Sequence, residues 1–223
     1  RFYHTATLLK DGRVLIAGGH YIAKKTTEIF DSSTATFSSG PDMTIERAHQ
    51  AAVLLNDGRV LLVNGLTSLG ALMSVDIYNP LTNNFTSATS SAEQLGLSAK
   101  VLPNGKVIML GGKLFNQPNG QAAEIFNPAD NSFVEVGPML IFGIARNYSV
   151  LLNSSKVLFV GTNVKAQLFN PSDITFALTG DLNTPVITRH QLTLLQDGRV
   201  LKTGGQTSDV SFIITNAAEV YKP

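Results

Sequence analysis

The sequence predicts an all-β protein made of repeated four-stranded antiparallel units. Three observations predict it: a hairpin phrase that returns along the chain, a pair of small residues at a constant distance after it, and two aromatic columns seven residues apart. The phrase Leu8-Leu9-Lys10-Asp11-Gly12-Arg13-Val14-Leu15 comes back as Leu54-Leu55-Asn56-Asp57-Gly58-Arg59-Val60-Leu61 and as Leu194-Leu195-Gln196-Asp197-Gly198-Arg199-Val200-Leu201. Val101–Ile108 and Leu151–Leu158 are blurred copies. With Gly12, Gly58, Gly105, Ser155 and Gly198 as one column, the spacings are 46, 47, 50 and 43 residues. A period of that size marks stacked supersecondary units rather than independent domains.

Each element of a unit has its own signal. Asp-Gly between two apolar runs is a strong hairpin signal, and a type I′ turn with both central residues at positive φ is expected there. The flanking runs are strands A and B. Near-continuous apolar stretches such as Val60–Val63 and Val107–Leu110 predict a strand B buried on both faces. Five residues past the Arg/Lys column stand Gly18-Gly19, Asn64-Gly65, Gly111-Gly112, Gly161-Thr162 and Gly204-Gly205. Glycine there permits a sharp exit and close backbone approach.

Strand C is marked by Glu28-Ile29-Phe30, Asp76-Ile77-Tyr78, Glu124-Ile125-Phe126, Gln167-Leu168-Phe169 and Glu219-Val220-Tyr221, with Pro80, Pro128, Pro171 and Pro223 helping to end it. Seven residues after the aromatic of strand C comes a second one: Phe37, Phe85, Phe133 and Phe176. That constancy predicts a fixed turn and a strand D. No residue stands seven beyond Tyr221, so the fifth unit is expected to have strands A, B and C without D.

Units of this kind and period predict β-propeller blades. The hairpin, the double glycine, the Glu-Ile-Phe/Tyr strand and the later aromatic together resemble Kelch repeats, especially the bacterial type, over the whole chain. The resemblance implies a single propeller domain over 1–223, with blades at about 1–46, 47–93, 94–145, 146–188 and 189–223, standing alone or as part of a larger propeller. The absence of tryptophan excludes WD40 repeats. Two departures from the family pattern are visible: phenylalanine replaces the usual tryptophan on strand D, and the fourth repeat loses both its Asp-Gly hairpin and its glycine pair.

Seventeen basic against 16 acidic residues, with no run of like charge, leave a nucleic-acid or membrane-surface role without an electrostatic footprint. No apolar stretch reaches transmembrane length. The chain starts at Arg1 without a signal sequence, as expected of a mature form, an excised piece or a trimmed chain. The lack of cysteine removes disulfides and thiol chemistry from these residues without deciding a compartment. Asn84-Phe85-Thr86, Asn147-Tyr148-Ser149 and Asn153-Ser154-Ser155 match the glycosylation acceptor pattern, a short one that leans the expected location toward the extracellular side or the cell surface.

Within a blade, the A-B and C-D turns share one end, and the B-C loops and D-to-A crossovers share the other. The B-C segments hold 8, 10, 11, 4 and 13 residues, and loops of varying length on a repeated scaffold are where binding is expected. They carry Tyr21, Leu69, Phe115 and Phe212, which either extend strand C or face a ligand. The starts of strand A add Arg1, Arg47, Arg146 and Arg189, beside His4, His49 and His190. Arg1 and Arg47 share a column, and Arg146 and Arg189 lie two residues on, which keeps the strand face. Such guanidinium groups either focus an acidic ligand or bridge neighbouring blades through loop carbonyls. His49 is displaced by one position from the column of His4 and His190, which turns it to the other face and argues against a metal site.

The expected ligand-binding residues are therefore Arg47, His49, Arg146, Arg189, His190, Phe115 and Phe212, with no catalytic residue, metal ligand or cofactor. The resemblance also brings enzymes into view. Copper-radical oxidases related to Kelch propellers need a Cys-Tyr cross-link, and this chain has no cysteine; the Ser-x-Asp-x-Gly-x-Thr-Trp boxes of sialidases are absent too. The expected function is thus non-catalytic binding of a protein, peptide or glycan, an acidic one where the arginines select it, at the end formed by B-C loops and crossovers. The alternative is a carbohydrate-active enzyme, or its remnant, on a galactose-oxidase-like propeller. Strand pairing at the incomplete fifth blade is a further expected partner contact.

Overall fold

The computed structural model describes residues 1–19, 24–90, 97–111, 123–141, 148–161, 164–185, 190–207 and 213–223. Every element among them is a strand, and none is a helix. The strands of blade 1 are β1 (Thr5–Leu8), β2 (Val14–Ala17), β3 (Thr27–Asp31) and β4 (Thr36–Ser39). Blade 2 has β5 (Ala51–Leu54), β6 (Val60–Val63), β9 (Ser74–Asn79) and β10 (Asn84–Thr89), and its B-C segment forms a small hairpin, β7 (Leu66–Thr67) with β8 (Gly70–Ala71). Blade 3 has β11 (Ser98–Val101), β12 (Val107–Leu110), β13 (Ala123–Asn127) and β14 (Ser132–Val136). Blade 4 has β15 (Ser149–Leu151), β16 (Val157–Val160), β17 (Ala166–Asn170) and β18 (Thr175–Leu178), and blade 5 has β19 (Gln191–Leu194), β20 (Val200–Thr203) and β21 (Ala218–Tyr221). Four sheets run A-B-C-D and the fifth stops at C, as the aromatic spacing predicted.

The chain divides into two compact units, Arg1–Leu95 with Asn127–Phe133, and Gly96–Phe126 with Val134–Pro223. In the first, β1 lies beside β5, and a core of Leu9, Leu15, Met43, Val60, Leu62 and Tyr78 fills the space between blades 1 and 2. In the second, β11, β15 and β19 are neighbours in turn. One core there joins Leu102, Ile108, Phe159 and Phe169, and another joins Val150, Leu158, Val160 and Val200. This is the stacking of propeller blades, inner strand beside inner strand.

The expected two-sided burial of strand B holds in the middle blades. Every residue of β6, β12 and β16 is buried, whereas β2 alternates and β20 ends exposed. Leu8 on blade 1 is 62% exposed.

The A-B turn differs from the expected I′ form. Leu9 N–H donates to the Arg13 carbonyl at 2.8 Å and Gly12 N–H to the Leu9 carbonyl at 3.1 Å, and only Gly12, at φ 87°, is left-handed. This is a type I turn closed by a left-handed residue, which gives a three-residue loop. The Asp11 carboxylate stabilises it by accepting from Arg13 N–H at 3.0 Å and from its guanidinium at 2.7 Å. Blade 4 keeps the geometry despite losing Asp-Gly, because Ser155 adopts φ 65° in the glycine position.

The C-D turn also has a left-handed residue, two before each strand-D aromatic: Ala35, Asn83, Asn131 and Ile174, at φ 55°, 50°, 57° and 59°. That turn sets the seven-residue spacing and places Phe30 opposite Phe37, Tyr78 opposite Phe85 and Phe169 opposite Phe176. Their ring centroids lie 4.9, 5.1 and 5.1 Å apart. Directly opposed aromatic pairs of this kind add roughly 0.5–1.5 kcal/mol beyond their burial.

Candidate functional site

The end of each blade that carries loops and crossovers is organised by the acidic column at the start of strand C. In blade 2, Asp76 is fully buried and accepts from the backbone N–H of Thr44 at 3.1 Å and from the Thr44 hydroxyl. In blade 4, the Gln167 side-chain oxygen accepts from Leu140 N–H at 2.8 Å. In blade 5, Glu219 accepts from Asn183 N–H at 2.7 Å and Thr184 N–H at 2.8 Å. All these donors sit in the crossover entering the blade. The column is therefore a clamp, meeting amide groups that would otherwise be buried without partners. Burial pushes the Glu219 carboxyl up, but the two amides and Lys202 outweigh it and hold its pKa below the usual value.

In blades 1, 2 and 5 a cation meets the acid of this column. Arg47 reaches Asp76 at 3.2 Å with neither side chain exposed, and donates to the carbonyls of Asn64 at 2.9 Å and Ser74 at 3.0 Å. Arg1 repeats this pattern in blade 1, bonding Glu28 at 3.1 Å and the carbonyls of Gly18 at 3.0 Å and Thr26 at 3.2 Å. Lys202 takes the part in blade 5 at 3.3 Å from Glu219. The crossover backbone is seated by the glycine pair as well: Gly19 N–H donates to the Arg47 carbonyl at 2.9 Å. A side chain on Gly19 would lie 2.7 Å from the Phe2 carbonyl.

These contacts correct the expected role of Arg47. It was expected to meet a ligand, but it is fully buried and its two terminal nitrogens bond within its own blade, so it is a positioning residue. His190 is corrected for the same reason. It is 1% exposed and stacks on Tyr148 with ring centroids 3.8 Å apart, and neither ring nitrogen has a hydrogen-bond partner. Burial, reinforced by the charge of Lys202, pushes its pKa down to about 4.

His49 is different. It is half-buried at φ 59°, and its ring packs 3.7 Å from that of Tyr3, whose neighbour Phe2 meets Tyr3 edge-on at 5.1 Å. Phe2 and Tyr3 are 43% and 47% exposed, and Leu69, at the tip of the β7–β8 hairpin, is 97% exposed. Arg146, Arg189, Phe115 and Phe212 lie outside the described residues. Among the described residues no group of three or more His, Asp or Glu side chains is arranged to hold a metal ion.

The acidic column was visible in the sequence only as a marker of strand C. Its clamping role was missed because the partners are backbone amides, which every residue has. The one available signal was its persistence: acid or Gln in every repeat, at a position a strand does not need.

No family model matches the chain. Over 98 residues the chain is 33% identical to a galactose oxidase of Gibberella zeae, 44% of this chain and 12% of that protein. It is 26% identical over 135 residues to the Kelch repeat-containing protein kel-10 of Caenorhabditis elegans, 57% of this chain and 23% of that one. Over 61 residues it is 33% identical to an F-box/kelch-repeat protein of Arabidopsis thaliana, 27% of this chain and 15% of that protein. Named Kelch proteins thus share the repeats that fold here as four-stranded blades. The chain is similar to Kelch-repeat proteins over part of its length.

The matched part of each relative is less than a quarter of its length. A solved fungal alcohol oxidase of the AA5 family, in complex with copper, has a similar fold, with a TM-score of 0.58 at 15% identity over 92% of this chain and 58% of that one. At that identity the likeness concerns the fold alone. The acidic clamps and the two histidines packed on tyrosines belong to the blade ends.

Proposed function

We propose that this chain is a non-catalytic binding module that takes a protein, peptide or glycan at the end formed by B-C loops and crossovers. The observation that carries the proposal is the pair of exposed aromatic residues Phe2 and Tyr3, backed by His49 and accompanied at that end of the unit by Leu69. Exposed aromatic groups on a rigid support are typical anchors of recognition. The crossover beside them is fixed by the Asp76 clamp, so little ordering entropy remains to be lost on binding.

The test is a screen of the whole chain against a glycan array and a displayed peptide library, followed by affinity measurement on the Tyr3→Ala/Leu69→Ala double variant. At least a tenfold loss, with Leu81→Ala on the opposite end unchanged, is expected. Equal losses from both changes would defeat the proposal.

A second reading is supported by the galactose oxidase relative: a carbohydrate-active enzyme or its remnant. Copper-dependent peroxide release from galactose by this chain would favour it over the binding module.

A further inference from the structure

The inner strand of blade 3 carries a lysine where the other blades put uncharged residues. Counted back two positions from Leu9, Leu55, Leu102, Leu152 and Leu195, Lys100 on β11 shares a column with Thr7, Val53, Val150 and Thr193. In blade 4 that place belongs to the core, where Val150 is 9% exposed and joins Leu158, Val160 and Val200.

The contacts of β11 show which way Lys100 faces. Ser98 is fully buried, and its hydroxyl lies 2.6 Å from that of Ser149 on β15, the inner strand of blade 4. Alternate residues of a strand share a face, so Lys100 turns toward blade 4 with Ser98. Leu102, two residues further on, lies in the core with Phe159 and Phe169 of blade 4. Lys100 stands between Ser98 and Leu102, opposite the fully buried Ile108 in the ladder. On the facing side, Leu151 follows Ser149 by two residues and packs against the same core. The half-buried stem of Lys100 is therefore set in an apolar seam between two blades.

Its ammonium is not accommodated as that of Lys202 is. Lys202 is 3% exposed and meets Glu219 at 3.3 Å. Among the described residues, no hydrogen bond or ion pair engages the Lys100 ammonium. Burial pushes its pKa below the usual lysine value, with no acid acting against it. A lysine so placed holds more of the neutral amine, the form that attacks a carbonyl carbon. β11 is the first strand of its sheet, so the amine is reached past an edge rather than through the core.

We propose that Lys100, in the seam between the inner strands of blades 3 and 4, is a covalent binding site for a small aldehyde. The neutral amine nitrogen attacks the aldehyde carbon and forms a C–N bond. The carbonyl oxygen leaves as water with both amine hydrogens, and an imine remains, so the step needs neither oxidant nor reductant. Ile108, Leu102 and Leu151 limit the water that would hydrolyse it. The site does not depend on Phe2, Tyr3 or Leu69 at the loop end.

The probe is glycolaldehyde with cyanoborohydride, which reduces each imine to a stable secondary amine. It is applied to the whole folded chain at neutral pH, and the labelled lysines are read by peptide mass mapping. Lys100 is expected to be labelled about ten times faster than the exposed Lys24, as a lowered pKa requires. In guanidinium chloride the two rates are expected to converge, because the seam is lost. Equal or slower labelling of Lys100 in the folded chain overturns the site. A preference that survives unfolding does so too, since it would come from the local sequence. Lys100→Arg keeps a long stem and the charge, and it is expected to remove the fast-labelled amine while leaving the rate at Lys24 unchanged. A fast-labelled amine that persists in this variant would place the reactive group elsewhere and overturn the proposal.

Discussion

Arg47 and Asp76 form an ion pair at 3.2 Å with both side chains at zero exposure, and the Asp76 carboxylate also holds the amide of Thr44. Removing one partner of such a pair leaves a buried charge uncompensated, at a cost of about 3–5 kcal/mol. Arg47→Met is therefore expected to destabilise the chain by that amount in urea titration. A change below about 1 kcal/mol would show that the pair does not secure the crossover.

The clamps should differ with their burial. Glu28 is 42% exposed beside Arg1, whereas Glu219 is 13% exposed beside Lys202 at 3%. Glu219→Ala strands a buried ammonium and two amides, and a loss of roughly 2–4 kcal/mol is expected. Glu28→Ala should cost less than about 1 kcal/mol, as exposed pairs do. Parallel thermal melts of the two variants check the order, and equal losses would contradict it.

Ser155 and Ile174 are among the eight described residues that hold left-handed backbone without glycine's freedom. Ser155 at φ 65° closes the blade 4 hairpin, and Ile174 at φ 59° occupies the C-D turn position that Asn83 and Asn131 fill in blades 2 and 3. A β-branched residue there is strained, and relief of left-handed strain amounts to about 1 kcal/mol. Ser155→Gly and Ile174→Asn are each expected to raise the melting temperature. A lowered value for either would mean that its turn is not strained as described.

His190 makes stability depend on pH. Its folded pKa of about 4 lies below the ordinary 6.5, so between those values the unfolded chain holds more protons than the folded one. Its contribution is complete above pH 6.5 and is lost as pH falls toward 4, by at most about 3 kcal/mol. His190→Phe keeps a ring on Tyr148 and should flatten the urea midpoint between pH 4.5 and 7. An unchanged slope would place the dependence elsewhere.

The blades were legible in the sequence because their signals are periodic and local. Gly12, Phe30 and Phe37 recur at fixed offsets, and turn chemistry with alternating apolar residues acts over a few positions, so the order of strands was predictable. The turn type was not, since Asp-Gly suits both a I′ turn and a type I turn closed by Gly12, and the choice follows from the Leu9–Arg13 hydrogen bond. The candidate site was legible in part. Tyr3 and His49 meet only because crossover and strand A come together in space, and His190 gave no sign of its burial.

From sequence alone come the all-β class, five repeats and the A-B-C-D order, because each rests on residues close along the chain. Only the tertiary structure decided that Arg47 points inward to Asp76 while Phe2 and Tyr3 stay outside. An arginine at a strand start suits either a rim or an interior. What chooses is the buried carboxylate 29 residues later, brought within 3.2 Å by sheet pairing, where it offsets the cost of removing a guanidinium from water.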